Sequence, residues 1–285
     1  MRLIPALLFL AISLPSSGSD AVVNMNGAEL MEAVYQRHKQ FPYVYEEQSM
    51  ILIDQRGNKN TRKLRRYSRV SKDGGADFLL LFDSPLDVRG VALIAHRDKA
   101  GVARQSFYLP AYGSTFLESH ADHDGQSEDH FLGTDFSIEN LIGEMLDHHR
   151  HLRRDDEVIN ETEFYVIDTF ESGDESLVPL RRHYVRKDHL FVTRTDHFDE
   201  LGRLKKRQTH HDLVNVHGEM WRANMMMMDN FQQAHRTVIK IDRRVFSADY
   251  VPEDVFTRKW ILSNQAPLSD EDDSEAYLAE AGDEL

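Results

Sequence analysis

Cysteine is absent from the 285 residues. No disulfide can staple this chain, no lipid can be attached through an N-terminal cysteine, and stability has to come from an apolar core. Basic charge is scarce as well. Lys and Arg number 34 against 48 Asp and Glu, a net charge of −14, which argues against nucleic acid as a partner because a binder needs a basic face. Catalytic signatures are missing: there is no His-Glu-x-x-His, no Gly-x-Ser-x-Gly elbow and no phosphate-cradling glycine loop. No residue nominates itself for chemistry, so the chain is read as a non-enzyme that uses no cofactor.

One long apolar run occurs, and it lies at the start. Met1-Arg2 precedes an apolar stretch from Leu3 to Leu14, then Pro15 and the small polar residues to Ala21. This is the layout of a secretory signal peptide over 1–21 with cleavage after Ala21. The run is about twelve residues, short of the roughly twenty needed to span a bilayer. The remainder is expected to be a soluble exported domain over 22–265. From 266 to 285 the chain is acidic, lacks Lys and Arg, and reads as a disordered tail.

The body alternates as antiparallel strands do. A helix is expected from Gly27 to about Gln40, with Leu30, Met31, Val34, Tyr35 and His38 on one face. Strands then follow at roughly ten-residue intervals, separated by polar turns such as Asp199-Glu200-Leu201-Gly202. Between Thr61 and Ser71, Leu64, Arg66, Ser68 and Val70 alternate with Lys63, Arg65, Tyr67 and Arg69, as in a half-exposed strand with a cationic face. Asp77 to Asp83 is apolar on both faces and should be covered on both sides. Pro252 to Leu262 reads as a short helix or closing strand. The pattern implies a sandwich or barrel rather than βαβ units.

Fifteen histidines invite a metal reading. The groups His148/His149/His151, His120/His123 and His210/His211 have no recognised ligand spacing, and most neighbour charged residues, so they are read as ordinary surface histidines and no metal is expected. The run Met225 to Met228 should send Met226 and Met228 to one face of a strand and Met225 and Met227 to the other. It reads as a strand buried on both faces or as a wall that adapts to acyl chains.

The block Phe131-Leu132-Gly133-Thr134-Asp135-Phe136-Ser137-Ile138-Glu139-Asn140-Leu141 is the most patterned in the chain. Ser137 is a good N-cap, Glu139 suits a first helical turn, and the block reads as a β-to-α junction. Gly133 is expected to permit a close backbone approach, Asp135 and Ser137 to hold the turn, and Phe136 to anchor the helix.

That block, with Arg66–Val70, Phe78–Phe82, Pro85–Leu93, Phe107–Ala111 and Phe198–Gly202 in the same order and spacing, resembles the outer-membrane lipoprotein-sorting protein family over roughly residues 28–262. These are exported bacterial proteins similar in fold to the periplasmic carriers LolA and LolB. The resemblance implies a mainly β (α+β) fold, an incompletely closed antiparallel β-barrel wrapped around a few helices. It further implies a periplasmic carrier of lipid or lipoprotein acyl chains, transient membrane contact, and association with an RND-type exporter, with no catalytic residues to carry over. Leu79, Leu81, Phe107, Leu109, Met226 and Met228 are the expected cavity contacts. A non-catalytic accessory module of an exporter, its core filled by its own side chains, is the alternative.

Overall fold

The computed structural model describes residues 22–264, apart from 39–40, 72–73, 99–102, 111–115, 121–130, 143–148 and 174–176. The expected leader, the His-rich stretch 121–130 with His123, and the acidic tail lie outside the described residues, as does His148.

A single antiparallel sheet dominates. Its strands are β1 (Tyr43–Ile53), β2 (Lys59–Val70), β3 (Ala76–Ser84), β4 (Ala92–Arg97), β5 (Ala103–Tyr108), β6 (Phe116–His120) and β7 (His149–Arg153). The rest are β8 (Glu157–Ile159), β9 (Thr162–Glu171), β10 (Arg181–Arg186), β11 (Phe191–Phe198), β12 (Leu204–His217), β13 (Met220–Asn230) and β14 (His235–Val245). Their order is β6-β5-β4-β3-β2-β1-β14-β13-β12-β11-β10-β9-β7, with β8 also paired to β9. Nearly every neighbour is joined by a hairpin; β1 and β14 meet instead as the two ends of the strand succession, Met50 opposite Ile239. β6 and β7 do not pair, so the barrel stays open, as the family resemblance implies.

Strand alternation gives the sheet two unlike faces. The inner face carries Met50 and Leu52 of β1, Leu64 of β2, Leu80 and Phe82 of β3, Leu93 of β4, Met228 of β13 and Ile239 of β14. Phe131 and Phe136 belong to the same buried cluster, Phe131 with its ring 6.0 Å from that of Phe82. Further round the same face, helix α1 (Gly27–His38) lays Leu30 and Met31 against Tyr165, Ile167 and Val185. Asn26 and Glu29 cap α1 reciprocally: each backbone N–H donates to the other's side chain, at 2.9 and 3.0 Å. Gly27 meets β7 so closely that a Cβ would lie 2.6 Å from the His151 carbonyl oxygen.

The outer face is covered near the C-terminus by a 3₁₀ turn (Glu253–Phe256) and a short helix over Arg258–Ser263, so the expected helix is present. Val251, Val255 and Ile261 close over Tyr45, Tyr67, Leu79, Leu81 and Tyr108. Elsewhere on that face a row of alternating charge crosses six neighbouring strands: Asp168, Arg182, Asp196, Arg207, Asp229 and Arg236 stand directly opposite one another. Arg182 Nε lies 2.6 Å from Asp168, Arg207 Nε 2.6 Å from Asp196, and Arg236 Nε 2.5 Å from Asp229. Burial alone would raise the Asp168 and Asp196 carboxyls, but the guanidinium groups bonded to them hold both below the usual carboxylate range.

Two strands carry no strand signal in the sequence. β7 and β8 pair with β9 at one edge. The inward positions of β7 are polar and β8 is only three residues long, so the apolar alternation that announces a strand is missing.

Candidate functional site

Residues 131–142 form the roof of the inner apolar trough. Phe131–Gly133 make one 3₁₀ turn, and Ile138–Ile142 make helix α2. Ser137 caps α2 as expected: Asn140 N–H donates to Ser137 Oγ at 3.2 Å, and Ser137 N–H donates to Asn140 Oδ1 at 3.1 Å. Gly133 differs from expectation. Its φ is +74° and nothing lies within 4 Å of a Cβ built there, so glycine serves the left-handed backbone and not a close approach.

Asp135 does more than hold the turn. Its side chain is 1% exposed. Thr237 Oγ1 donates to its Oδ2 at 2.7 Å, Asn230 Nδ2 donates to Oδ1 at 3.2 Å, and His235 Nδ1 lies 2.7 Å from Oδ2. Its backbone N–H donates to Thr237 Oγ1 at 3.0 Å, and its carbonyl accepts from Lys206 Nζ at 3.1 Å. Burial lowers the Lys206 pKa, only partly offset by the Asp135 charge. On the other side Arg62 Nη1 donates to the Leu132 carbonyl at 2.7 Å. Polar anchors on β2, β12, β13 and β14 thus tie the roof to the sheet, and Phe136 fills the space between them, 1% exposed.

The six expected cavity residues divide between the two faces. Met228 is buried in the inner cluster, and Met226, Phe107 and Leu109 pack against it while remaining partly exposed. Phe107 stands 6.1 Å from the Phe131 ring. Leu79 and Leu81 point the other way, fully buried under Val251, Val255 and Ile261. The inward residues of β3 are Leu80 and Phe82, because a strand apolar on both sides carries no signal of which side is inner.

One end of the same inner face is cationic, which the sequence reading missed. Glu46 on β1 is paired in the sheet with Arg66 on β2 and Arg244 on β14. Arg244 Nε donates to Glu46 at 2.6 Å, Gln48 Nε2 donates to it at 2.7 Å, and Arg66 Nη1 lies 3.5 Å away. Burial would raise the Glu46 carboxyl, yet the charges of Arg66 and Arg244 hold it below its ordinary range. Arg222 of β13 joins them. Burial first, then the charges of Arg244 and Arg66, push its guanidinium down to about 10. Its Nη1 donates to the carbonyl of the adjacent Trp221 at 3.0 Å.

The histidines also depart from expectation, since several belong to this interior rather than to the surface. His38, at the end of α1, has Nε2 2.9 Å from the Leu190 carbonyl and accepts the Trp221 N–H at 3.3 Å. His210 packs edge-on against Phe191. Burial pushes both down to about 4, so they are neutral at pH 7. His183 and His151 each sit beside an inward threonine, Thr195 at 3.0 Å and Thr169 at 2.9 Å. Among the described residues no three His, Asp or Glu side chains converge as a metal site.

Two open clefts lie apart from the trough. One of about 710 Å³ is lined by Arg153, Arg154, Asp155, Glu157, Val166 and Arg182. The other, of about 430 Å³, lies between Tyr45, Lys63, Arg65 and Asp242. Both are walled mainly by charged side chains. Among the described residues no helix is long and apolar enough to cross a membrane.

Comparison with known proteins matches this geometry to one fold. The family whose model matches residues 74–262 is described as "Uncharacterized protein". No curated protein sequence matches the chain. Among solved structures, a provisionally named outer membrane lipoprotein-sorting protein domain from Vibrio parahaemolyticus is 24% identical. It covers 82% of this chain and 97% of its own, with a TM-score of 0.72. A DUF1329 family protein from Desulfovibrio piger is 23% identical over 82% of this chain and 97% of its own, with a TM-score of 0.70. A LolA superfamily protein from Nitrosomonas europaea is 13% identical over 83% of this chain and 99% of its own, at a TM-score of 0.63. The fold is the LolA-like open barrel.

Proposed function

We propose, from the premise that this chain belongs to the family whose model spans residues 74–262, that it is a periplasmic carrier. It binds lipid or lipoprotein acyl chains on the inner face of its open barrel and takes part in their sorting toward the outer membrane. The observation that supports this reading is the incompletely buried apolar margin of the inner cluster. Phe107, Leu109, Leu132, Ile138, Leu141, Met226 and Ile241 all pack against the buried inner cluster while staying partly accessible.

An acyl chain laid along such a wall gains about 0.8 kcal/mol per buried CH₂. Ten methylenes therefore supply about 8 kcal/mol, enough for micromolar binding without any chemistry. The methionines suit the task, because their unbranched, polarizable side chains follow irregular shapes. The similar structures named for lipoprotein sorting and the LolA superfamily support the same reading, as does the leader-like start of the sequence.

A second reading rests on Phe131 and Phe136, whose rings fill the trough's centre. In it the protein is a non-catalytic accessory module of an RND-type exporter with a self-filled core. Native mass spectrometry of the protein isolated from its host, combined with uptake of a neutral fluorescent acyl ester by delipidated protein, separates the two. Co-purified lipid and saturable uptake support the carrier. Lipid-free protein that takes up no acyl probe, and that cross-links to an exporter, sinks it in favour of the module.

A further inference from the structure

The carrier reading leaves the cationic end of the inner face without a role, and its composition is unusual for a chain of net charge −14. Three guanidinium groups, Arg66, Arg222 and Arg244, surround one carboxylate, Glu46. Glu46 is saturated by Arg244, Arg66 and Gln48. Arg244 is further spent on the Asn224 side chain at 3.0 Å and the Ala223 carbonyl at 2.8 Å. Arg222 faces the opposite balance. Its strongest electrostatic neighbours are two like charges and one carboxylate already engaged elsewhere, and among the described residues it makes no ion pair.

A half-buried guanidinium with no counter-charge is unfavourable, and a protein keeps such a group where an anion completes it. The carboxylates on the adjoining strand and turn are engaged elsewhere: Asp212 accepts from Asn224 at 3.0 Å, and Glu219 pairs with Arg37 at 3.4 Å. His38 of α1, within electrostatic reach of Arg222, is neutral and already bonded through both ring nitrogens.

Position then selects the kind of anion. Each cluster residue shares its strand face with trough residues: Glu46 with Met50 and Leu52, Arg66 with Leu64, and Arg222 with Met226 and Met228. Four residues of strand separate Glu46 from Met50, roughly 13 Å. One amphiphile can therefore lie with its tail on the trough and its head on the arginines.

We infer that Arg222, with Arg66 and Arg244, forms an oxyanion subsite for the carboxylate or phosphate headgroup of an acylated ligand, so that the carrier selects anionic over neutral amphiphiles. This inference rests on the carrier reading, and the experiment keeps the two apart. Delipidated protein is titrated with a fluorescent fatty acid and with its methyl ester, following probe and Trp fluorescence, and its melting is followed with added inorganic phosphate. The acid should bind about tenfold or more tightly than the ester, the worth of one charge-assisted bond.

Arg222→Gln should bring that ratio close to one with ester affinity unchanged, and Arg222→Lys should restore part of it. Equal affinity for acid and ester, or a ratio that Arg222→Gln leaves intact, overturns the subsite while the carrier reading stands. If neither probe binds yet phosphate raises the melting point through Arg222, the carrier reading falls, and with it the headgroup as the anion's source. No response to any of the three overturns both.

Discussion

Truncating Asp135 to alanine tests what holds the roof of the trough in place. The change would strip Thr237, Asn230 and His235 of a common acceptor, with Thr237 and Asn230 buried and His235 partly so. Hydrogen bonds to a charged group contribute about 1.5–3 kcal/mol each, and losing one partner of a buried ionic contact costs about 3–5 kcal/mol. Because the donors share one carboxylate these figures do not add, so about 4 kcal/mol is the expected loss. For a domain of this size each kcal/mol moves the melting midpoint by about 2–4 °C, which predicts a fall of about 8–16 °C.

Asp135→Asn keeps the side-chain shape and an acceptor for Thr237, so its loss should be about half as large. Circular dichroism melts measure both variants. Since the same anchor seats Phe131 and Phe136, Asp135→Ala should also bind a hydrophobic dye well below its midpoint. A midpoint within about 2 °C of the parent, where at least 8 °C is expected, would refute the reasoning.

Acid should destabilise the protein in two stages. His38 and His210 are held down to about 4 in the fold against 6.5 for a free imidazole. The unfolded chain therefore takes up their protons first, so stability is full above about pH 6.5 and declines as pH falls toward 4. The carboxylates of Glu46, Asp168 and Asp196 are all lowered in the fold, so their contribution is lost in turn as pH falls through their folded-state values. Melting midpoints against pH should fall across the first window, and the double variant His38→Gln/His210→Gln should flatten it; an unchanged slope would show that these imidazoles are not the cause. Gly27→Ala should lift α1 from β7, because the new Cβ would meet the β7 backbone, 2.6 Å from the His151 oxygen and 2.8 Å from the Arg153 nitrogen. The expected cost is about 1–3 kcal/mol with faster hydrogen exchange along α1, and a neutral substitution would contradict the contact.

Much of this architecture was legible where the sequence alternates. The paired strands of the C-terminal half, helix α1 and the cap at Ser137 follow from period and residue type alone. The family resemblance, carried by the 131–137 block, led correctly to an open barrel. What escaped has a common cause, polarity on an inward face. β7 sends His149, His151 and Arg153 inward, so its alternation looks solvated. Arg66 reads as one more surface charge until β1 places Glu46 beside it. Leu79 and Leu81 were assigned to the wrong companions because a strand apolar on both sides looks the same from either one. The available clue was the pairing of Glu46 and Gln48 with Met50 and Leu52 at even positions of β1, since a carboxylate among inward residues needs a cation close by.

The charged row on the outer face bears on how the chain finds this sheet at all. Sliding β11 by two residues along β10 would leave every inward side chain inward, so apolar burial would scarcely resist it. Such a slip would bring Arg194 opposite Arg182 and carry Asp196 away from Arg207 on β12. Because each of the four middle members of the row faces one on either side, an error at one strand leaves charge uncompensated at the next. The row thus acts less as a source of net stability than as an alignment code, making the placement of six strands a single linked choice. An open sheet with two unpaired edges has many near-equivalent ways to assemble, and this code removes most of them.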